Sequence, residues 1–258
     1  MKRRGFLKFG LFTAAIGGLA YWKRNEILRF GLTSLTNDET ATLAPQAGAD
    51  VCMLTPEQTA GPYFIKAPMR SDITDGKKGL PLKLAVEIVN MPDCVAVEGL
   101  TVEIWHCDAP GFYSGYPEMT VREPFDTLVM VATQAKDGHI PPQKEEEKFL
   151  RGAQVTDAKG MIEFDSIFPG WYDPRLTHIH LKVSRDGKSF LTTQLFFPDE
   201  MVTDIYTNHP DYKDYGVCPY NLTNDPVLKD LSDETGVVLK TERTDELITA
   251  SVRFGIAS

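Results

Sequence analysis

Apolar side chains fall on alternate positions in a series of short runs along this chain. Over 82–89, Leu82, Leu84, Val86 and Ile88 share one face; over 100–106, Val102 and Ile104 face one way while Glu103 and Trp105 face the other. A strand places residues i and i+2 on the same side, so this alternation predicts half-buried β-strands. Residues 127–133, 161–164, 178–183, 190–197 and 247–254 read as further strands, with a hairpin about Asp186-Gly187 joining 178–183 to 190–197. Many short strands separated by turn signals predict an all-β domain, a β-sandwich core with long functional loops. The charged, proline-bearing segment 136–148 reads as a surface loop, and 198–233 as a loop-rich stretch with short turns. Loops of that length in a compact domain tend to cover functional sites.

Composition narrows the picture. With 258 residues and 42% hydrophobic content the chain can bury one large core, which is assigned to residues 50–258. Residues 1–22 differ in kind: Lys2-Arg3-Arg4 leads into Phe6-Leu7-Lys8, and an uncharged stretch runs from 9 to 22. That layout is too short for a comfortable membrane span and resembles a twin-arginine export signal. A basic amphipathic N-terminus on a cytosolic protein is the competing reading. Small residues at Gly18-Leu19-Ala20 and Ala47-Gly48-Ala49 offer two cleavage points, and an uncleaved anchor is the third option. Residues 23–49 read as a polar linker. The twin-arginine machinery is thus an expected partner, with a periplasmic or extracellular destination.

The formal charge is −9, and the first 49 residues hold seven Lys/Arg against three Asp/Glu, so the remainder carries −9 − 4 = −13. An acidic body of that size argues against nucleic acid or an anionic membrane as partner. Cys52, Cys94, Cys107 and Cys218 allow three full disulfide pairings in an oxidising compartment, and lack the close spacing of a zinc site.

The chemistry concentrates in Pro169-Gly170-Trp171-Tyr172-Asp173-Pro174-Arg175-Leu176-Thr177-His178-Ile179-His180. His178 and His180, two apart on a strand, aim both imidazoles at one point. Tyr172 sits in a Pro/Gly-marked bend just upstream, and Tyr113 in the glycine turn Gly111-Phe112-Tyr113-Ser114 that follows another strand. Alone, each has a bland explanation: an incidental histidine pair, a rim tyrosine, a turn aromatic. Together, two imidazoles and two phenolates make a hard, anionic donor set, for which Fe(III) is the natural occupant.

Four segments occur in a telling order: Thr55-Pro56-Glu57-Gln58-Thr59-Ala60-Gly61-Pro62-Tyr63-Phe64, Trp105 through Ser114, Leu150-Arg151-Gly152-Ala153-Gln154-Val155-Thr156-Asp157, and Pro169 through His180. The chain resembles the intradiol ring-cleavage dioxygenases in these segments, over roughly residues 52 to 235. The resemblance implies a non-haem Fe(III) held by Tyr113 as equatorial and Tyr172 as axial tyrosinate, with His178 and His180. It further implies Arg175 beside the bound catecholate, Gln194 near the ligands, and Gly61-Pro62-Tyr63 lining the substrate mouth. The implied reaction takes a catechol and O2, with exchange of Tyr172 for substrate, a proton-accepting base, and oxygen insertion between the hydroxylated carbons to give a cis,cis-muconate-type diacid. Only Asp173 and Pro174 separate Tyr172 from Arg175, where protocatechuate dioxygenases carry a longer, tryptophan-bearing stretch. Protocatechuate specificity therefore does not carry over, and the short form is like that of secreted, single-subunit members.

The face of Gln194 depends on the hairpin. A two-residue loop would pair Arg185 with Lys188, set His178 across from Leu195 and turn Gln194 away. A three-residue loop, Arg185-Asp186-Gly187, pairs Ser184 with Lys188 and sets His178 across from Gln194; this form is the expected one. Two rivals to the dioxygenase stand: an exported metal-binding β-sandwich module without catalysis, and an Fe(II) oxygenase using both histidines with Asp108 or Asp173. Of the other histidines, His106, at a strand end beside Trp105, reads as structural, with a supporting place behind the ligands as the alternative, and His139 and His209 read as loop residues.

Overall fold

A computed structural model describes residues 54–116, 146–228 and 236–257. The leader and linker, the expected strand at 127–133 and most of the 136–148 loop lie outside the described residues.

Among the described residues, eight strands form two four-stranded sheets. They are β1 (Pro81–Asn90), β2 (Thr101–Trp105), β3 (Arg151–Val155), β4 (Met161–Ile167), β5 (His178–Arg185), β6 (Lys188–Phe196), β7 (Lys240–Arg243) and β8 (Ile248–Ile256). One sheet runs β4-β1-β8-β7 and the other β3-β2-β5-β6. β1 pairs with β8 in parallel; the remaining pairs are antiparallel. The predicted alternation holds. Leu82, Leu84, Val86 and Ile88 face Val102, Ile104, Ile179, Leu181 and Val183 across one continuous core. Burying those side chains, each contributing roughly 1.5–3 kcal/mol, is what sets the register of both sheets.

The opposite face of the β3-β2-β5-β6 sheet carries the chemistry. Trp105 is paired with Arg151 on one side and with His180 on the other, and His180 is paired with Gln194. Directly opposed residues point to the same side of a sheet. Arg151, Trp105, His180 and Gln194 therefore form one row across all four strands, and every member is buried.

The hairpin corrects the expectation stated above. Arg185 does pair with Lys188, through a two-residue turn in which Asp186 (φ 52) and Gly187 (φ 80) both adopt the left-handed backbone that such turns demand. The register then slips by one: Ser184 pairs with Ser189 but Val183 with Leu191, leaving Phe190 as the extra residue of a β-bulge. That bulge restores the parity. Gln194 lies on the histidine face after all, across from His180, while His178 lies across from Phe196.

The stretch from 198 onward also differs from expectation. It opens with a helix, α1 (Asp199–Asn208), that buries Val202, Ile205 and Tyr206. The spacing of those three residues is the helical stripe, and Asp199 and Glu200 suit a first turn. Cys94 is disulfide-bonded while Cys107 and Cys218 are not, so the four cysteines do not form two bridges.

His106 joins the sheets, as a structural residue should. Its Nδ1 donates to the Cys107 carbonyl at 2.8 Å and its Nε2 meets the Ser166 hydroxyl of β4 at 2.7 Å. Burial lowers its pKa to about 4. The unfolded chain binds this proton near pH 6.5, so stability is complete above that pH and is lost as pH falls toward 4, by on the order of 3 kcal/mol. Chemical denaturation at stepped pH is expected to show a flatter acid limb for His106→Gln than for wild type; parallel limbs would contradict this assignment.

Candidate active site

Two loops bring the phenols to the histidine row. Gly170 is pressed against the 108–111 loop so closely that a Cβ there would lie 2.3 Å from the Asp108 carbonyl oxygen. Its amide donates to that same carbonyl at 3.1 Å, and the Cys107 thiol donates to the Gly170 carbonyl at 3.4 Å. The loop carrying Tyr113 is thereby fastened to the loop carrying Tyr172. Tyr206 of α1 holds the second loop from behind, donating to the Pro169 carbonyl at 3.0 Å.

Three of the four expected ligands meet within hydrogen-bond distance, and the ring of the fourth, Tyr113, packs beside them. The Nε2 atoms of His178 and His180 are 3.1 Å apart, and the Tyr172 hydroxyl is 3.3 Å from His178 Nε2. His178 Nδ1 donates a hydrogen bond to the Leu176 carbonyl at 2.5 Å, which leaves the lone pair of Nε2 aimed into the cluster. His180 is stacked on Trp105, with ring centroids 4.9 Å apart and planes 2° from parallel. Tyr113 packs edge-on to Tyr172 at 5.6 Å between centroids, and its buried hydroxyl makes no hydrogen bond of ordinary geometry.

Burial governs the protonation states. It pushes both histidines well below their usual range, with the Arg175 charge next in importance, so both imidazoles are neutral donors. Burial also raises the phenols: Tyr172 to about 12, relieved in part by Arg175, and Tyr113 further, with Tyr172 adding to the rise.

Arg175 is 3% exposed and tightly held. Its Nε donates to both Asp225 oxygens, at 3.0 and 3.2 Å, and its Nη2 donates to Gln194 Oε1. Burial works against its charge, but Asp225 and then Tyr172 outweigh that and raise its pKa. Gln194 in turn donates to the Thr59 carbonyl at 2.9 Å. The proposed mouth segment is split by the structure. Gly61, at φ +69, lies over His180, where a Cβ would come within 3.3 Å of the ring. Pro62 is buried, and Tyr63 is no rim residue: at 1% exposure it stacks on Tyr113 with centroids 4.4 Å apart.

Residues 59–208 match the Dioxygenase_C family, described as Dioxygenase. The chain belongs to the intradiol ring-cleavage dioxygenase family. Among relatives of this dioxygenase family, catechol 1,2-dioxygenase 1 of Acinetobacter lwoffii is 27% identical over 164 residues, covering 54% of this chain and 45% of the relative. The chain thus matches about half the length of that curated relative. An intradiol ring-cleavage dioxygenase from Tetranychus urticae is similar in structure, with a TM-score of 0.68 and 25% identity over 80% of this chain and 95% of that one. A hydroxyquinol 1,2-dioxygenase from Pseudomonas putida DLL-E4 shares the fold at a TM-score of 0.53 and 16% identity, over 100% of this chain and 84% of that one.

The residues present suit the metal that this dioxygenase family implies. Two nitrogens bound to one ion at about 2.1 Å, with about 90° to 110° between them, stand roughly 2.9–3.4 Å apart. The His178–His180 and Tyr172–His178 contacts fall inside that range at 3.1 and 3.3 Å. The Tyr113 hydroxyl, buried without a regular hydrogen bond, would give such an ion a fourth donor and a second phenolic oxygen. Among the described residues no carboxylate joins the histidines. Asp108 is paired with Lys77 at 3.2 Å, and Asp173 accepts from the Tyr220 hydroxyl, so neither completes an Fe(II)-type triad. Sequence reading missed Asp225, Trp105 and Arg151 as parts of this site. Asp225 lies 50 residues past Arg175 in a loop and gives no local signal.

Proposed function

We propose that this protein cleaves the aromatic ring of a catechol between its two hydroxylated carbons, consuming O2 and yielding a cis,cis-muconate-type diacid. The observation that carries this reading is the meeting of Tyr113, Tyr172, His178 and His180 in one buried cluster beside a fixed guanidinium. Those four side chains would hold a non-haem Fe(III). When bound, that ion would supply the electron-accepting centre that activates an ionised diol toward dioxygen.

The chain's own residues supply the rest. Tyr172 has its oxygen at the cluster, 3.3 Å from His178 Nε2, and once ionised as a metal ligand its phenolate would accept a proton from an incoming diol. Arg175, fixed by Asp225 and Gln194, presents permanent positive charge beside Tyr172, where it stabilises negative charge developing on the ring carbons. All four side chains are buried, a low-dielectric setting in which the Arg175 charge acts on them more strongly than it would in water.

The short turn between Tyr172 and Arg175 contains Asp173, an acidic residue, and no aromatic. It thus lacks the tryptophan that protocatechuate dioxygenases carry there, and protocatechuate specificity is not carried over to this chain. The paired arginines of the leader and the disulfide at Cys94 support action outside the cytoplasm, after export by the twin-arginine machinery. An exported metal-binding module needs neither Arg175 nor a phenol free to exchange. The purified protein is expected to be coloured by tyrosinate-to-iron charge transfer, and anaerobic catechol is expected to shift that band. A colourless protein carrying zinc would favour the module.

A further inference from the structure

Behind Tyr113 lies a second cation whose role the ligand set does not explain. Arg151 opens β3, is fully buried, and heads the row that continues through Trp105 and His180 to Gln194. Arginine in so dry a place normally faces a carboxylate. Arg175 has one in Asp225, but among the described residues none pairs with Arg151. Its Nε donates to Ser114 Oγ at 2.7 Å and its Nη2 to the Ser114 carbonyl at 3.0 Å. Both bonds grip the residue immediately after Tyr113. The third nitrogen, Nη1, is buried without a partner, and the guanidinium carbon stands 6.0 Å from the centre of the Tyr113 ring. The Tyr113 hydroxyl is likewise buried without a regular bond. A cation lacking an anion thus adjoins a phenol that becomes an anion once it ligates a metal.

Resting on the metal-site reading above, we propose that Arg151 is a positioning residue for Tyr113: its two-pronged grip on Ser114 sets the ligand's turn, and its charge balances the ligand's phenolate. The two functions are separable. Grip needs the fork of the guanidinium; balance needs only a positive charge. Removing the charge leaves the phenolate electrons less strongly held. Charge transfer from tyrosinate to iron then takes less energy, and the visible band moves to longer wavelength.

The test compares wild-type protein with Arg151→Met, Arg151→Lys and Ser114→Ala, each loaded with ferric iron. Melting temperature, iron retention against a chelator and the visible spectrum are read for all four. Arg151→Met is expected to retain iron at least about tenfold less well and to move the band to longer wavelength. Arg151→Lys is expected to recover the band position but only part of the retention, and Ser114→Ala to lose retention with the band in place. A merely structural arginine would change melting without moving the band. Unaltered retention and spectrum in Arg151→Met would overturn the proposal. Should Arg151→Met not fold, wild-type retention in both Arg151→Lys and Ser114→Ala overturns it instead. A wild-type protein that takes up no iron sinks the metal-site reading and this proposal together; a coloured wild type with indifferent variants sinks the proposal alone.

Discussion

Tyr113→Phe is expected to bleach the protein and abolish turnover while leaving it folded. The substitution removes one oxygen and keeps the ring, so the stack on Tyr63 and the edge contact with Tyr172 survive. The hydroxyl makes no regular hydrogen bond to lose, so the stability cost is expected to stay below about 1.5 kcal/mol. The donor set falls from four to three and loses an anionic oxygen, the kind of ligand a hard trivalent cation most requires. The variant should hold little ferric iron, show little visible absorption and consume O2 with catechol at a rate reduced by at least about a thousandfold, the scale of losing a principal electrostatic contributor. Iron analysis, a visible spectrum and an oxygen electrode check each part. Retained colour at a normal rate would show that Tyr113 is not a ligand.

Asp225→Ala is expected to damage both fold and activity. The carboxylate is fully buried and serves the Arg175 Nε, the Leu176 amide at 2.7 Å and the Val227 amide at 2.9 Å. Its removal strands a buried guanidinium, which in comparable pairs costs roughly 3–5 kcal/mol. Arg175 would also lose the fixed position from which its charge acts, so turnover should fall by about two orders of magnitude even at temperatures where the variant is folded. Asp225→Asn keeps the shape and its acceptor oxygen, and is expected to recover much of the stability but less of the rate. Denaturant midpoints and kcat for the two variants separate these effects. Equal kcat in wild type and Asp225→Ala would remove Asp225 from the account.

What could be read from the sequence was whatever a local period encodes. The histidine pair followed from the two-residue repeat of a strand, and the sandwich from the alternation in β1 and β2. Tyr113 and Tyr172 stood out because glycine turns beside chemistry-bearing residues imply close backbone approach, which Gly170 shows against the Asp108 carbonyl. Gln194 was placed on the correct face by the wrong route. The turn has two residues, and the bulge at Phe190 that restores the parity leaves no mark in a pattern of apolar and polar positions. β3 escaped notice because Arg151, Gly152 and Gln154 resemble no half-buried strand. Gly152 is required there because a Cβ would fall 2.4 Å from Ile73 Cγ2. Arg151 and Asp225 were illegible as site residues for a common reason. A buried charge is defined by what surrounds it, and Asp225 meets Arg175 only after the chain has passed through α1 and the turns that follow.

The most direct measurement is the mass of the product formed from catechol under heavy-isotope dioxygen. Ring opening between the hydroxylated carbons predicts a cis,cis-muconate-type diacid carrying oxygen from O2, formed with one O2 consumed per catechol. A semialdehyde from cleavage beside the diol, a quinone without incorporated oxygen, or no consumption of O2 by the iron-loaded protein would contradict it.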